Sequence, residues 1–300
     1  MTTEPKIQFI MKNHLTLIII CILLSFHCVA QVGCKTTINY GSNSKTGVLA
    51  KVNGISMYYE IYGNSNKPSL LLIHGNGGDI YGWRCQIEHF KKNYRVIVVD
   101  SRAHGKTENG DKELTYELMA EDYYSLMNHL NLKSTSILGQ SDGAVIGILL
   151  AIKNPEKFEK LIAMGPNLRA DTTALYSWLI NLTRNDLAKM VKQVAEGNNS
   201  PELLRKKMHY ELMDKYPNIP TKDLIKITIP VLIMSGDDDL IRPEHILEIY
   251  RNIPKANLAV LPGATHFALD EDPKMFYYLV DRFLSKPFKR PTSRAVLESF

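Results

Sequence analysis

Residues 136–152 read SILGQSDGAVIGILLAI, and this stretch decides the fold. A short apolar run at 136–138 has the pattern of a buried strand, and residues 144–152 have the pattern of a helix. Between them stands GQSDG at 139–143, the motif G-x-S-x-G in a strand–turn–helix context. Because the two glycines let the chain turn sharply, the sequence predicts Ser141 in a strained conformation, with its hydroxyl at the positive end of the following helix.

Short uninterrupted apolar runs recur along the rest of the chain, each typical of a strand buried on both faces. They occupy residues 70–73, 96–99, 161–164, 231–234 and 258–261. Helical patterns separate them, the clearest over 114–130. This alternation predicts an α/β fold with a mostly parallel sheet flanked by helices. Ahead of it, residues 48–62 predict an antiparallel hairpin that turns at Asn53-Gly54.

The alternation of strand and helix patterns is interrupted at residues 167–222. They contain no strand pattern and only helical segments, at 175–182 and 186–194. Open α/β sheets bind ligands at the carboxyl ends of their strands, so we expect a helical cap over that edge. The predicted organisation is a signal peptide, a flexible lead, a core in two parts around the cap, and a basic tail. These segments are 1–30, 31–46, 47–166 with 223–285, 167–222, and 286–300.

The first 30 residues have the composition of a targeting segment. Lys12 and His14 precede an uncharged run at 15–24, which is shorter than the about 20 apolar residues that span a bilayer. The pattern is typical of a secretory signal peptide, and we expect cleavage after Ala30. The mature protein is therefore predicted to be exported, either periplasmic or secreted, with no membrane span after signal removal. Lipid attachment at Cys34 is the alternative.

Cleavage of that signal would leave two cysteines, Cys34 and Cys85. Export permits a disulfide. However, Cys34 lies in a polar lead and Cys85 in a predicted helix, so we expect both thiols to be free. Neither cysteine has the spacing of metal ligands.

The formal net charge of +5 lies mostly in the N-terminal segment and in the tail after Ser285, which leaves the body of the chain near neutrality. A nucleic-acid-binding protein concentrates positive charge on one face of its folded body. We therefore expect no nucleic-acid partner, and we interpret the tail as a solvated end that packs little against the core.

A serine nucleophile needs a base, and the base needs an acid that orients it. The motif around Ser141 predicts these partners in the chain order serine, acid, histidine. The stretches SGDDD at 235–239 and PGATH at 262–266 each follow a predicted strand. His266 is the candidate base, and residue chemistry alone leaves all three aspartates of 237–239 open as the acid.

Residues 48–284 resemble the α/β-hydrolase superfamily along their length and not in one motif alone. In that family the acid stands third after a strand-ending glycine, in a G-x-x-D pattern. The glycine of SGDDD matches, so the resemblance implies Asp239 as the acid, with Asp238 as the second choice. It also implies the α/β-hydrolase fold and a catalytic triad of Ser141, Asp239 and His266.

Acyl transfer also needs N–H donors for the negative oxygen of the tetrahedral intermediate. One is expected from the backbone of Asp142, the residue after the nucleophile. The resemblance implies that the second comes from Asn76, which follows His74-Gly75 after an early strand. We interpret His74 as structural and not as a second base.

A further resemblance lies in residues 100–107, DSRAHGKT, which match the family segment D-x-R-G-x-G-x-S. Ala103 replaces the usual glycine and Thr107 the usual serine. These departures fall in a loop that supports the site, so they leave the triad assignment unchanged. His104 is interpreted as part of that loop, not as the catalytic base.

Serine rather than aspartate at position 141 separates the chain from the dehalogenase and epoxide-hydrolase branches of the family. We expect a serine hydrolase that cleaves a small carboxylic ester through an acyl-enzyme, with a small-molecule acyl substrate and neither cofactor nor metal. The alternatives are a C–C bond hydrolase, a hydrolase like the proline iminopeptidases, and a non-catalytic ligand-binding member of the fold. The carboxylate of Asp142 is expected to stabilise the helix it begins, and attraction of a cationic substrate group is the other interpretation.

Overall fold

The computed structural model describes Cys34 and residues 36–300. The chain divides into two units, Met1–Lys35 and Thr36–Phe300, and the second contains all the elements below. Eight strands form one sheet in the order β1-β2-β4-β3-β5-β6-β7-β8. The strands are β1 Gly47–Val52, β2 Ile55–Tyr62, β3 Ser69–Ile73, β4 Arg95–Val99, β5 Thr135–Gln140, β6 Phe158–Met164, β7 Val231–Asp238 and β8 Ala256–Thr265.

The sheet is antiparallel only where β2 pairs with β1 and β4, and the other neighbouring strands are parallel. Nine α-helices connect or flank the strands in the described part of the chain. They are α1 Arg84–Phe90, α2 Tyr116–His129, α3 Asp142–Lys153, α4 Ser177–Ala195, α5 Pro201–Lys215, α6 Pro243–Asn252, α7 Ala268–Glu271, α8 Pro273–Ser285 and α9 Ser293–Leu297. The predicted α/β class and mostly parallel sheet are confirmed.

Two hydrophobic cores lie on opposite faces of the sheet. Successive side chains of a strand point to opposite faces, so a strand covered on both sides is apolar at every position. In β3, Leu71 and Ile73 belong to one core and Leu70 and Leu72 to the other, and all four are fully buried. The continuous apolar runs in the sequence follow from this two-sided burial.

The predicted hairpin at the start of the sheet is confirmed. Val52 of β1 pairs with Ile55 of β2, so the turn between them consists of two residues. Asn53 has φ 44° and Gly54 has φ 80°. These left-handed conformations are what the tight hairpin turn requires, and Asn and Gly adopt them more readily than other residues.

The segment 167–222, for which the sequence predicts a helical cap, contains the helices α4 and α5. The two helical patterns at 175–182 and 186–194 form one continuous helix, because no glycine or proline lies between them. That helix ends before the polar stretch 198–200, and Pro201 begins the next. We refer to residues 167–222 as the insertion.

The two ends of the insertion lie side by side on α6. The N–H of Ile219 donates to the carbonyl of Leu168 at 2.8 Å. Arg169 donates to both carboxylate oxygens of Glu248 at 3.0 and 2.6 Å, and the Thr221 hydroxyl donates to the same carboxylate at 2.6 Å. One half-buried glutamate therefore holds both ends of the insertion.

The expectation of free cysteines is wrong, because Cys34 and Cys85 are both disulfide-bonded. A sulfur in a disulfide cannot carry a lipid, so this structure contradicts lipid attachment at Cys34. The predicted signal peptide over 1–30 lies outside the described residues. No helix in the described residues is long and apolar enough to cross a membrane.

Residues 36–46, which the sequence predicts to be flexible, are held by two carboxylates of the core. The hydroxyls of Thr36 and Tyr40 donate to Glu88 at 3.1 and 2.5 Å. The backbone N–H groups at 41 and 43 donate to the fully buried Glu60, at 3.0 Å each. The polar composition of this segment therefore reflects bound polar groups and not a solvated linker.

The tail after Ser285 packs against the core in its first part, contrary to the expectation from its charge. The Asn257 side chain donates to the carbonyl of Lys289 at 3.2 Å, and Arg290 donates to the carbonyl of Ile253 at 3.3 Å. Helix α9 has no buried residue. The last residues alone match the predicted solvated end.

The contacts of Glu248 predict a pH-dependent contribution to stability. Its hydrogen bond with Arg169, with those from Thr221 and His245, lowers the pKa of Glu248 from 4.5 to about 2. A depressed pKa stabilises the fold above the ordinary pKa, and this contribution is lost as the pH falls towards 2. Glu248→Gln should therefore lower the free energy of unfolding by on the order of 1 kcal/mol at pH 7 and by progressively less below pH 4.5.

Urea unfolding of both proteins at pH 7, 5, 4 and 3 measures this difference. Glu244→Gln changes an exposed carboxylate on the same helix and is the matched control, expected to show no comparable effect. A difference between wild type and Glu248→Gln that stays constant down to pH 3 would contradict the assignment.

Candidate active site

Ser141 stands between β5 and α3 in the conformation that the motif predicts. Its φ of 54° and ψ of −120° are outside the ordinary range of a residue with a side chain. The Ser141 N–H donates to the carbonyl of Met164 at 2.8 Å, and its own carbonyl accepts from the N–H of Ala144 at 2.8 Å. These bonds at both ends hold the strained residue at the start of the helix.

The glycines on either side of Ser141 are required by close backbone approach. A Cβ on Gly139 would overlap the backbone of Gly143, and a Cβ on Gly143 would overlap the carbonyl of Ile73. Strand β5, the turn and helix α3 are therefore packed too closely for any side chain at these two positions. This close packing is the reason that both outer positions of the motif G-x-S-x-G are glycine.

His266 and Asp239 are in direct contact. Nδ1 of His266 lies 2.6 Å from Oδ1 of Asp239, and both side chains are buried. Asp239 also accepts from the backbone N–H groups of Gly236 at 3.2 Å and Ile241 at 3.1 Å. These backbone bonds fix the carboxylate, and the carboxylate fixes the imidazole.

The structure separates the three consecutive aspartates. Asp237 and Asp238 are exposed, whereas Asp239 is buried beside His266. The Asp237 carboxylate accepts from the backbone N–H groups of Gly263 and Ala264, so it holds the loop that leads to the histidine. Asp239 is thus the aspartate of this stretch that orients His266, as the resemblance implies.

Asn76 and Asp142, the expected oxyanion donors, lie next to each other. Asp142 is the first residue of α3, so its backbone N–H has no acceptor within the helix. The side-chain amide of Asn76 donates to the Asp142 carboxylate at 3.0 Å, and the Tyr116 hydroxyl donates to it at 2.8 Å. Sequence reasoning missed both side-chain contacts, because they join residues 66 and 26 positions apart.

The carboxylate of Asp142 is buried, and it does not bond to the N–H groups at the start of α3. Burial raises its pKa above the ordinary value, and the hydrogen bonds from Tyr116 and Asn76 act in the opposite direction. Its partners are side chains rather than helical N–H groups. The sequence predicted that this carboxylate stabilises the helix. Its hydrogen bonds are instead to the side chains of Tyr116 and Asn76.

His74 and His104 are held by backbone groups, in agreement with their interpretation as structural residues. His74 Nε2 accepts from the N–H of Ser101 at 3.0 Å, and His104 Nε2 accepts from the N–H of Gly77 at 3.1 Å. Burial lowers the pKa of His74 to about 4 and that of His104 to about 2. Both rings are consequently neutral near pH 7.

Ser141 and His266 line two cavities with different walls. The smaller, of about 100 Å³, is mostly apolar, and the larger, of about 730 Å³, is more polar. The smaller includes the carboxylates of Asp142 and Asp214 and has no lysine or arginine in its wall. Helices α4 and α5 of the insertion contribute residues to the smaller cavity, and α5 contributes to the larger.

Residues 68–189 match a family model described as alpha/beta hydrolase fold. The chain has the fold of solved α/β-hydrolases, as the comparison with known structures shows.

The chain is similar to several known proteins at low identity. A putative esterase/lipase from Haemophilus influenzae is 24% identical over 277 residues, which cover 84% of this chain and 96% of that protein. The 3-oxoadipate enol-lactonase 2 from Acinetobacter baylyi is 23% identical over 259 residues, or 77% of this chain and 94% of the relative. An alpha/beta hydrolase enzyme from a Medee basin deep-sea metagenome library superposes with a TM-score of 0.68 at 21% identity, covering 82% and 99% of the two chains.

Gly165 is a residue of the candidate site that sequence reasoning missed. It follows β6 directly, with φ 60°. A Cβ there would lie 2.6 Å from Cε1 and 2.8 Å from Nδ1 of the His266 ring. The imidazole of His266 therefore packs directly against the backbone of Gly165, where a side chain would not fit. A signal was present, because Gly165 ends an apolar strand run as Gly236 does.

No group of three His, Cys, Asp or Glu side chains in the described residues has the arrangement of a metal site.

The close packing at the turn predicts that Gly143→Ala destabilises the protein strongly. The new methyl would overlap the backbone carbonyl of Ile73, which cannot move without shifting β3. We expect a loss of about 3 kcal/mol or more in the free energy of unfolding, from overpacking. Thermal and urea unfolding measure it.

Gly82→Ala is the matched control, because a Cβ at Gly82 meets nothing within 4 Å. It should change stability by less than about 1 kcal/mol. Equal stability of the two variants would show that the turn has more room than the geometry indicates.

Proposed function

We propose that this protein is an exported serine hydrolase that cleaves a small carboxylic ester through an acyl-enzyme intermediate. The observation that carries the proposal is the 2.6 Å contact between Asp239 and His266, with His266 and the strained Ser141 on the walls of the same cavities. A nucleophile, a base and an orienting acid in this order are the elements that acyl transfer requires.

In the proposed mechanism, Ser141 Oγ attacks the acyl carbon of the ester while Nε2 of His266 takes its proton. Asp239 accepts the Nδ1–H of the resulting imidazolium and stabilises it. The backbone N–H groups of Asn76 and Asp142 bind the negative oxygen of the tetrahedral intermediate, each contributing about 3 kcal/mol to transition-state stabilisation.

The intermediate then collapses, the bond to the alkoxy oxygen breaks, and the leaving alcohol takes the proton from His266. Water enters, gives a proton to His266, and its oxygen attacks the acyl carbon of the Ser141 ester. A second tetrahedral intermediate releases the carboxylic acid, and the proton returns to Ser141. The reaction thus consumes one ester and one water and leaves the enzyme unchanged.

The size and walls of the cavities favour a small acyl group. The cavity of about 100 Å³ is small and mostly apolar, which favours a short acyl chain there. The larger cavity, of about 730 Å³, then receives the alcohol portion. Helix α4 lines the smaller cavity and α5 lines both, which supports the proposal that the insertion acts as a cap.

The names of similar proteins favour cleavage of an acyl–oxygen bond. One is a putative esterase/lipase and another an enol-lactonase, and both names refer to esters or their cyclic form. Ester hydrolysis is therefore the first proposal, and C–C bond cleavage by the same three residues is an outcome that the experiment below distinguishes.

Export is proposed from two separate observations. The uncharged run at 15–24 has the length and position of a secretory signal, with expected cleavage after Ala30. Cys34 and Cys85 are disulfide-bonded, and disulfides persist in oxidising compartments such as the periplasm and the extracellular space.

Turnover of p-nitrophenyl esters from acetate to octanoate, by the chain lacking residues 1–30, tests the proposal. We expect turnover that falls as the acyl chain lengthens, and a loss on the order of 10⁴-fold or more in Ser141→Ala. Ser285→Ala, an exposed serine at the end of α8, is the control and should retain full activity.

Substantial turnover by Ser141→Ala would refute the nucleophile assignment. If the folded wild type cleaves no ester but a fluorophosphonate labels Ser141, that result favours C–C bond hydrolysis or iminopeptidase-like hydrolysis over ester hydrolysis. A folded protein that is neither active nor labelled is a ligand-binding member of the fold.

The position of Gly165 predicts a second activity change. In Gly165→Ala the new methyl would displace the His266 ring, so we expect kcat for the preferred ester to fall about 10- to 100-fold, because small misplacements of a catalytic group have effects of this size. Gly197→Ala is the control, since Gly197 also has positive φ but a Cβ there meets nothing within 4 Å. Equal activity of the two variants would contradict the role of Gly165.

A further inference from the structure

Three buried histidines form a row between the insertion and the loop that carries Asn76. The rings of His104 and His209 are stacked, with centroids 3.9 Å apart and planes 7° from parallel. The rings of His74 and His104 follow at 5.0 Å. His209 belongs to α5 of the insertion, whereas the other two belong to the core.

His104 is the middle ring of this row, and it contacts residues 74–79, which we call the oxyanion loop. Nδ1 of His104 lies 2.8 Å from the carbonyl of Arg102 and donates to it. Nε2 therefore has no proton in the neutral ring and accepts the N–H of Gly77 at 3.1 Å. The conformation of the loop immediately after Asn76 depends on where the His104 ring lies.

His209 covers the face of that ring and is fixed in place by its own hydrogen bond. Nε2 of His209 donates to the carbonyl of Ala103 at 3.0 Å, and the residue is buried. The backbone carbonyl of His209 also accepts from the side-chain amide of Asn76, at 3.4 Å. One residue of the insertion thus contacts the oxyanion loop directly and, through His104, indirectly.

The alternative role of His209 as a base is not compatible with these contacts. Its Nε2 is engaged with Ala103, and its ring faces His104 rather than Ser141. Burial lowers the pKa of both stacked rings, in agreement with a neutral stack.

We propose that His209 is a positioning residue through which the insertion holds the oxyanion loop, so that the backbone N–H of Asn76 faces the developing negative oxygen. The inference rests on the proposed function for its catalytic consequence, but the mechanical coupling can be measured without substrate. An interaction that acts on the oxyanion affects the transition state more than the bound ester, so kcat should change more than KM.

The test compares three variants of the chain lacking residues 1–30. His209→Ala removes the stack and the hydrogen bond, and His209→Phe restores an aromatic face on His104. Leu212→Ala is the control, since Leu212 is equally buried on the same helix but lies against the stretch 109–114. Two readouts are made, the kinetics of p-nitrophenyl ester hydrolysis and amide hydrogen exchange of residues 74–79 without substrate.

We expect His209→Ala to lower kcat about 10- to 100-fold, as for the partial loss of an oxyanion donor, with KM within about 3-fold of wild type. Exchange in the oxyanion loop should rise about 10-fold or more. His209→Phe should recover most of both, and Leu212→Ala should leave both near wild type. If His209→Ala does not fold, His209→Gln, which keeps a donor but no ring, replaces it.

Unchanged exchange in the oxyanion loop of His209→Ala would overturn the proposal. Equal effects of His209→Ala and Leu212→Ala would also overturn it, because they would show a general loosening of α5. If the wild type cleaves no ester, the proposed function fails, while faster exchange in His209→Ala alone would still support the coupling.

Discussion

The structure depends on one steric constraint, the approach of the backbone at Gly143 to the carbonyl of Ile73. This close approach leaves no room for a side chain at Gly143, and Ser141 beside it has the strained conformation φ 54°, ψ −120°. Hydrogen bonds of the Ser141 N–H and of its carbonyl hold the residue in this conformation. Because the constraint lies in the backbone, the conformation of Ser141 is fixed by backbone contacts.

The parallel sheet gathers the other groups around that serine. The carboxyl ends of parallel strands meet at one edge, so the residues that follow β3, β5, β6, β7 and β8 come together there. Asn76, Ser141, Gly165, Asp239 and His266 each follow or end one of these strands. The candidate site is therefore built from short loops at the ends of strands, and residues of the insertion line the cavities beside it.

Sequence patterns predicted the parts of the molecule that depend on local rules. The strands, the hairpin turn and the turn around Ser141 follow from periodicity and from the glycines, whereas Asp239 was implied by the resemblance to the α/β-hydrolase superfamily. The sequence did not predict contacts between distant segments. The stack of His209 on His104 joins residues about a hundred positions apart, and the carboxylates that hold residues 36–46 belong to other elements.

The ends of the insertion have a consequence for how such a protein can change over time. Leu168 and Ile219 are joined by a hydrogen bond, and Arg169 pairs with Asn218 in an isolated antiparallel bridge, so the chain leaves and re-enters the core at one point. A segment with adjacent ends can be lengthened, shortened or exchanged without altering the order of the strands. Replacing this one segment would therefore change the walls of both cavities while the strands and the loops around Ser141 stay in place.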